Sequence, residues 1–147
     1  MNKLINLVTK DWKDGKDVGI LIIRFIFGFL LIYGHGWDKL NVILTGQEIQ
    51  FLDPIGIGMH LSFFLAMFAE TICAMMIIFG LCTRVASIIL TINFIVIFVF
   101  HAFTVGDGFA VLEPRYFYLF AFISLIFTGG GKFSLDNMIF NKWEYSV

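Results

Sequence analysis

The chain has 147 residues, of which 59% are hydrophobic and 14% charged, and its formal net charge is −1. A soluble domain is roughly 45–50% apolar and about a quarter charged, and so small a fold cannot hide this much apolar surface from water. Composition therefore excludes an ordinary soluble protein, and the lack of a dense basic run argues against a nucleic-acid partner. We expect an integral membrane protein that has the lipid bilayer as its main partner.

The N-terminal residues 1–17 contain no long apolar run, but Leu4, Val8 and Trp12 recur at helical spacing. This pattern is typical of a short helix lying in the membrane interface. A solvated tail is the alternative.

Four stretches are long and apolar enough to cross a membrane, since a spanning helix needs about 20 mostly apolar residues. They are predicted at residues 18–37, 59–81, 84–103 and 114–131. Only two residues join the second and third spans, so these helices should be antiparallel neighbours. The predicted fold is an all-α, integral membrane four-helix bundle, a single domain over residues 1–147.

The fourth span should begin at Pro114, because the missing N–H of a proline costs nothing at the first helical position. The glycine run at residues 129–131 is typical of a helix C-terminus. Beyond it, Leu135, Ile139 and Trp143 share one helical face. A second short interfacial helix is predicted there.

Lysines and arginines are distributed unevenly between the two ends of these spans. Two of them, Lys39 and Arg115, fall on one side, and Arg24 lies within a span. The other side has Lys3, Lys10, Lys13, Lys16, Arg84, Lys132 and Lys142. Because cytoplasmic loops carry the excess of Lys and Arg, both termini should be cytoplasmic in a bacterial inner-membrane protein.

Two ionisable side chains fall within the predicted spans, Arg24 in the first and Glu70 in the second. Ionisable groups inside a membrane are costly and commonly functional. Gly28 and His35 share a helical stripe with Arg24, and a glycine there lets a second helix approach closely. We expect Arg24 and Glu70 to meet inside the bundle, either as a structural ion pair that fixes helix register or as part of a functional site.

A second group of polar residues gathers at the outer ends of the spans. All three histidines, His35, His60 and His101, belong to it, together with Glu113. No two histidines have the i, i+3 or i, i+4 spacing of ligands on one helix, so we expect neither a metal nor a haem. For Glu113 the simple alternative is a carboxylate that favours a helix N-terminus.

Several motifs together resemble the DoxX family. They are RFIFGFLLIYGHGWDKL, FAETICAMMIIFGLCTRVAS, His101 and GGGKFSLD, in that order over residues 18–136. The resemblance implies a four-helix membrane fold and makes six residues family-motif positions. These are Arg24, His35, Lys39, Glu70, Arg84 and His101. Cys73 and Ala74 stand where relatives often have glycines, a mild departure from the pattern.

Members of that family look like membrane subunits of quinone-linked redox systems, which gives the first functional hypothesis. The chain would supply a polar intramembrane site for a quinone and would need a protein partner or a second copy, because its sequence shows no electron carrier. The predicted site is Arg24, His35, Lys39, Glu70, His101 and Glu113, and Gly28, Arg84 and Pro114 are predicted to be structural. The alternatives are a scaffold or assembly factor that docks an extracytoplasmic protein and, ranked last, a carrier of small molecules or ions.

Overall fold

In a computed structural model the chain is described over residues 12–144, with side chains over residues 12–139. The interfacial helix predicted from Leu4 and Val8 lies outside the described residues. Within them the protein is all-helical, with no strand. The predicted fold class is confirmed, since four helices are long and apolar enough to cross a membrane. The orientation of the termini stays a prediction.

The four long helices are α1 (Gly15–Thr45), α2 (Met59–Phe79), α3 (Thr83–Val105) and α4 (Phe109–Thr128). A fifth helix, α5 (Leu135–Glu144), follows the glycine turn where an interfacial helix was predicted. Consecutive helices pack side by side, and α4 returns to α1. The core between them is made of small and large apolar side chains. They include Leu31, Cys73, Ala74, Ile77, Ala86, Leu90, Phe94, Phe122 and Leu125.

Three of the long helices contain one wide, π-helical segment each. The segments are Ile32–Gly36 in α1, Phe68–Cys73 in α2 and Phe100–Val105 in α3. A π segment inserts a residue into the α-helical repeat and is frequent at functional sites. Each segment contains one of the predicted site residues: His35, Glu70 and His101 respectively.

The π segment of α1 changes which residues face the bundle. Arg24, Gly28 and Leu31 are buried at α-helical spacing, but the next buried residue is Gly36. The predicted stripe continued through His35 to Asp38, and both of these are exposed. The inserted residue turns the following helix, so that Gly36 and Lys39 face α2 instead.

Two predicted helix ends are also wrong. The helix of span one does not end at Trp37, because α1 continues to Thr45 and is capped by Gly46, which has the left-handed φ of 66°. Span four does not begin at Pro114, because α4 begins at Phe109, directly after the extended Gly108. Pro114 therefore lies in the second helical turn, where it leaves the carbonyl of Ala110 without its usual intrahelical donor.

Candidate functional site

The helix bundle has two ends, the terminal face and the opposite face. The terminal face holds the start of α1, the turn at residues 80–82 and residues 129–139. The opposite face holds the loop at residues 46–58 and the turn at residues 106–108. Predicted site residues lie at both faces, in very different surroundings.

At the terminal face, Arg24 is almost completely buried, with 1% of its surface exposed. Its guanidinium donates to the carbonyls of Ile77 and Ile78, each at 2.9 Å. It also donates to the carbonyls of Gly130 at 2.6 Å and Phe133 at 3.0 Å. Among the described residues, its hydrogen-bond acceptors are thus backbone carbonyls.

The C-terminus of α2 explains this arrangement. The last carbonyls of a helix have no intrahelical donor and carry the negative end of the helix dipole. Ile77 and Ile78 belong to that last turn, so Arg24 satisfies their carbonyls and places a cation at the favourable end. Gly80 makes room, because a Cβ there would lie 2.5 Å from an Arg24 nitrogen.

Asp136 stabilises the next helix from the same side. Its carboxylate accepts from the backbone N–H of Cys82 at 2.6 Å and of Thr83 at 2.8 Å, and from the Thr83 hydroxyl at 2.8 Å. These are unpaired donors at the N-terminus of α3, where a negative charge is favourable. We call Arg24, Gly80, Gly130, Ser134 and Asp136 the terminal cluster.

The predicted ion pair between Arg24 and Glu70 is wrong. Arg24 reaches toward the terminal face, where the C-terminal carbonyls of α2 attract it, and Glu70 pairs with another residue. Gly28 does allow the close approach predicted for it, because its Cβ would lie 2.6 Å from Ile78 and 3.1 Å from the Ala74 carbonyl oxygen. Arg84 is exposed and lies over Gly129.

Glu70 is buried, and its partners come from two neighbouring helices. The Lys39 ammonium donates to one carboxylate oxygen at 2.6 Å, and the Asn93 amide donates to the other at 3.2 Å. The extension of α1 beyond the membrane span supplies Lys39. Gly36 lets α1 come this close, because a Cβ there would lie 2.6 Å from the Glu70 carbonyl oxygen.

This ion pair lines a cavity of about 330 Å³ at the opposite face, which we call the cleft. Four predicted site residues line it, namely His35, Lys39, Glu70 and His101. Two do not. Arg24 belongs to the terminal cluster, and Glu113 is exposed and absent from the cleft lining.

Glu113 lies outside the cleft because α4 turns a different stripe of side chains toward it. Glu113 was predicted to belong to the site, but it is exposed, as are Tyr116 and Phe120 on the same helical stripe. Arg115 and Tyr118 line the cleft instead, on the neighbouring stripe of α4. From the sequence, Arg115 was counted only among the charges on one side of the membrane, and no site role was predicted for Tyr118. Their i, i+3 spacing was the signal that could have identified them.

Arg115, His101 and Asp107 form a hydrogen-bonded chain at the rim of the cleft. Arg115 lies 3.2 Å from His101 Nε2, and His101 Nδ1 lies 2.6 Å from an Asp107 carboxylate oxygen. Arginine has no acceptor, so Nε2 accepts from Arg115 and Nδ1 carries the proton that is donated to Asp107. The contacts therefore fit a neutral imidazole whose proton points toward the carboxylate.

Aromatic rings form one wall of the cleft. Tyr118 stacks on Phe94 with ring centroids 4.8 Å apart, and the His35 ring meets the edge of Tyr118 at 6.2 Å. Phe51 comes from the loop and lies under the Lys39 ammonium, 5.6 Å from the ring centroid. The cleft thus has the Lys39–Glu70 ion pair on one side and flat aromatic rings on the others.

Asp53 orders the loop that covers the cleft. Its carboxylate accepts from the Ser62 hydroxyl at 2.7 Å and from the backbone N–H groups of Gly58 at 2.8 Å and Ile57 at 3.1 Å. The hydrogen bond from Ser62, followed by those of the backbone, lowers the pKa of Asp53 below its usual 3.8. Because these bonds favour the ionised form, a charged Asp53 ties the loop to the start of α2.

No three His, Cys, Asp or Glu side chains among the described residues come close enough to hold a metal ion. The expectation that the chain binds neither a metal nor a haem stays a prediction.

Comparison with known proteins gives a family and two relatives. The sequence profile of the DoxX family matches residues 19–102. An uncharacterised protein of Haemophilus influenzae is 29% identical over 132 residues, which is 85% of each chain. The inner membrane protein YqjF of Escherichia coli is 29% identical over 135 residues, covering 89% of this chain and 99% of that protein. No solved structure shows significant similarity.

Proposed function

This chain belongs to the DoxX family of membrane proteins and is a multi-pass protein of the bacterial inner membrane, and on that basis we propose that it is the membrane subunit of a quinone-linked redox system. In this proposal the cleft binds the quinone ring, and a partner protein exchanges electrons with it.

The observation that carries the proposal is the ion pair between Lys39 and the buried Glu70 beside a cavity with aromatic walls. Ionisable groups at membrane depth are expensive and are kept mainly where they serve a site. Quinone chemistry moves protons together with electrons, so it needs a carboxylate or an imidazole within hydrogen-bond reach of the ring oxygens. Glu70, His35 and His101 supply such groups to one cavity.

The donor set of the cleft also fits a ring with two carbonyl oxygens. The Nε atom of Arg115 is buried and has no hydrogen-bond partner among the described residues. A buried donor without an acceptor costs about 1–3 kcal/mol. Arg115 lines the cleft, and a turn of its side chain would bring this donor to a ligand oxygen and recover that cost. Lys39 offers a second cationic donor from α1, and the Tyr118 and Phe51 rings would enclose the flat faces.

A bound quinone would supply two-electron, two-proton redox chemistry. The chain's own residues would orient the ring and handle the protons. Lys39 holds the Glu70 carboxylate by an ion pair of 2.6 Å, and this carboxylate would accept a hydrogen bond from a hydroxyl of the reduced ring. His101 and Asp107 lie in hydrogen-bond contact and lead from the cleft to the turn at the opposite face, which the distribution of Lys and Arg predicts to be extracytoplasmic.

Binding of a ring-only quinone tests the proposal. We expect a dimethoxy-methyl-benzoquinone without a side chain to bind the protein in lipid nanodiscs. Arg115→Gln should weaken binding about tenfold or more, because a hydrogen bond to a charged group contributes about 1.5–3 kcal/mol. The matched control is Arg84→Gln, an arginine at the terminal face, which should bind as tightly as the wild type. Equal affinities of wild type and Arg115→Gln, or no binding by the wild type, would contradict the proposal.

A second candidate is a scaffold for an extracytoplasmic protein, and the loop at residues 46–58 favours it. Leu52 and Ile55 are 59% and 53% exposed on either side of the ordered Asp53. Ile55→Ser, which leaves the lining of the cleft unchanged, should then abolish co-purification of a native partner while binding of the ring-only quinone persists. Loss of a partner without any quinone binding in the wild type would favour the scaffold.

A further inference from the structure

A second cavity, of about 370 Å³, lies between α2 and α3 and opens toward the lipid. We call it the groove. Its lining is apolar apart from Ser62 and Asn93, and it contains no charged side chain. Leu65 on α2 and Ile92 on α3 lie on its lipid-facing side, 51% and 57% exposed.

The groove adjoins the cleft. Phe51, Pro54 and Ile97 line both cavities. Asn93 links them chemically, because it lines the groove while its amide donates to Glu70 in the cleft at 3.2 Å. The cleft therefore offers polar contacts to a ligand, and the groove on the other side of the shared wall offers apolar contacts.

Phe51 stands at this boundary, held from two sides. The Lys39 ammonium lies 5.6 Å from its ring centroid, and the buried Phe63 meets its ring edge at 5.6 Å. The ring therefore presents a polar-facing and an apolar-facing surface at the passage between the cavities. An amphiphile would be oriented by this boundary, with its head toward Glu70 and its chain toward the lipid.

We infer that the groove between α2 and α3 holds the hydrocarbon tail of the quinone whose ring lies in the cleft. This inference rests on the proposed function. Lipid tails are as apolar as the groove, so the groove gains nothing from hydrophobic transfer and acts by packing and orientation. Its effect is to direct the ring oxygens toward Glu70 and Arg115, and the test must therefore locate the tail rather than compare affinities.

Photocrosslinking locates the tail. The probe is a benzoquinone with a decyl chain that ends in a diazirine, added to the protein in nanodiscs, with crosslinked peptides identified by mass spectrometry. We expect crosslinks in residues 62–69 and 89–97, lost when the ring-only quinone is present in excess. Ile92→Trp fills the groove and should abolish them. The matched control Ile95→Trp, on the same helix, 46% exposed and outside the groove lining, should keep them.

Three results overturn the inference, and they differ in what they say of the proposed function. Crosslinks outside residues 62–69 and 89–97 that the ring-only quinone still displaces would agree with the proposed function, but they would show that the tail does not lie in the groove. Equal crosslinking in the Ile92→Trp and Ile95→Trp variants does the same. Groove crosslinks that the ring-only quinone does not displace show a chain inserted without its ring in the cleft, and this contradicts both proposals.

Discussion

The terminal cluster and the cleft both bury ionisable residues at family-motif positions, but they use them differently. Arg24 donates four hydrogen bonds to backbone carbonyls, and Gly80 packs against it with no room for a Cβ. Glu70 bonds to two side chains, and a cavity lies beside it. A buried charge is therefore not evidence of a ligand site by itself. What distinguishes the two regions is whether donors and acceptors are saturated by the protein or left facing a cavity.

Removing Arg24 should have the largest effect on stability. Arg24→Leu removes the side-chain donor from the carbonyls of Ile78 and Gly130 and creates a cavity, so we expect a loss of about 4–6 kcal/mol. Thermal unfolding in detergent measures it. The control Arg84→Leu removes an exposed side chain and should change stability by about 0.5 kcal/mol or less. A similar loss in both variants would show that the terminal cluster is not what holds α2.

Breaking the pair in the cleft should come next. Lys39→Leu leaves Glu70 as an uncompensated buried charge, at a cost of about 3–5 kcal/mol. Glu70→Leu leaves the partly exposed Lys39 unpaired and should cost less. The double variant should be more stable than the sum of the single losses predicts. The same cycle between Arg24 and Glu70 should be additive, because these residues do not touch. Coupling between Arg24 and Glu70 would contradict the separation of the two regions.

A smaller effect should come from a methyl group in the terminal cluster. Gly80→Ala puts a Cβ 2.5 Å from Arg24 at a φ of 69°, and both strain and displacement should cost about 2–4 kcal/mol. Gly46→Ala is the control, with nearly the same φ of 66° and nothing within 4 Å, so only the backbone strain of about 1 kcal/mol remains. Equal melting temperatures of the Gly80→Ala and Gly46→Ala variants would mean that the Arg24 side chain moves aside at no cost.

The smallest effect should be the acid response of the loop over the cleft. The pKa of Asp53 is lower in the folded protein than its usual 3.8. Its stabilisation of the loop is therefore complete above pH 3.8 and is lost as the pH falls through the lower pKa of the folded state. The protection of the Ile57 and Gly58 amides against exchange, relative to their intrinsic exchange rates at each pH, should fall below about pH 3.8. Asp53→Asn should remove this pH dependence, and an unchanged profile in that variant would contradict the assignment.

Composition and hydropathy were enough to predict the four helices, because lipid demands long apolar spans. The arrangement within them was harder to predict. An α-helical period places His35 and Asp38 inward, and only the π segment in α1 explains why Gly36 and Lys39 take their place. The partners of Arg24 are backbone carbonyls at the end of α2, which no side-chain pattern reveals. Pro114 lies inside α4 because the helix starts directly after Gly108, an extended residue three positions beyond the end of α3 at Val105.

The central claim is that the cleft binds a ligand while the terminal cluster only stabilises the fold. A ligand that binds the folded state raises the melting temperature, so the shift caused by the ring-only quinone tests the claim most directly. We expect the ring-only quinone to raise the melting temperature equally in the wild type and in Asp136→Asn, although the melting temperature of Asp136→Asn without quinone is lower. We expect no rise in Lys39→Gln. A shift retained in Lys39→Gln, or lost in Asp136→Asn, would contradict it.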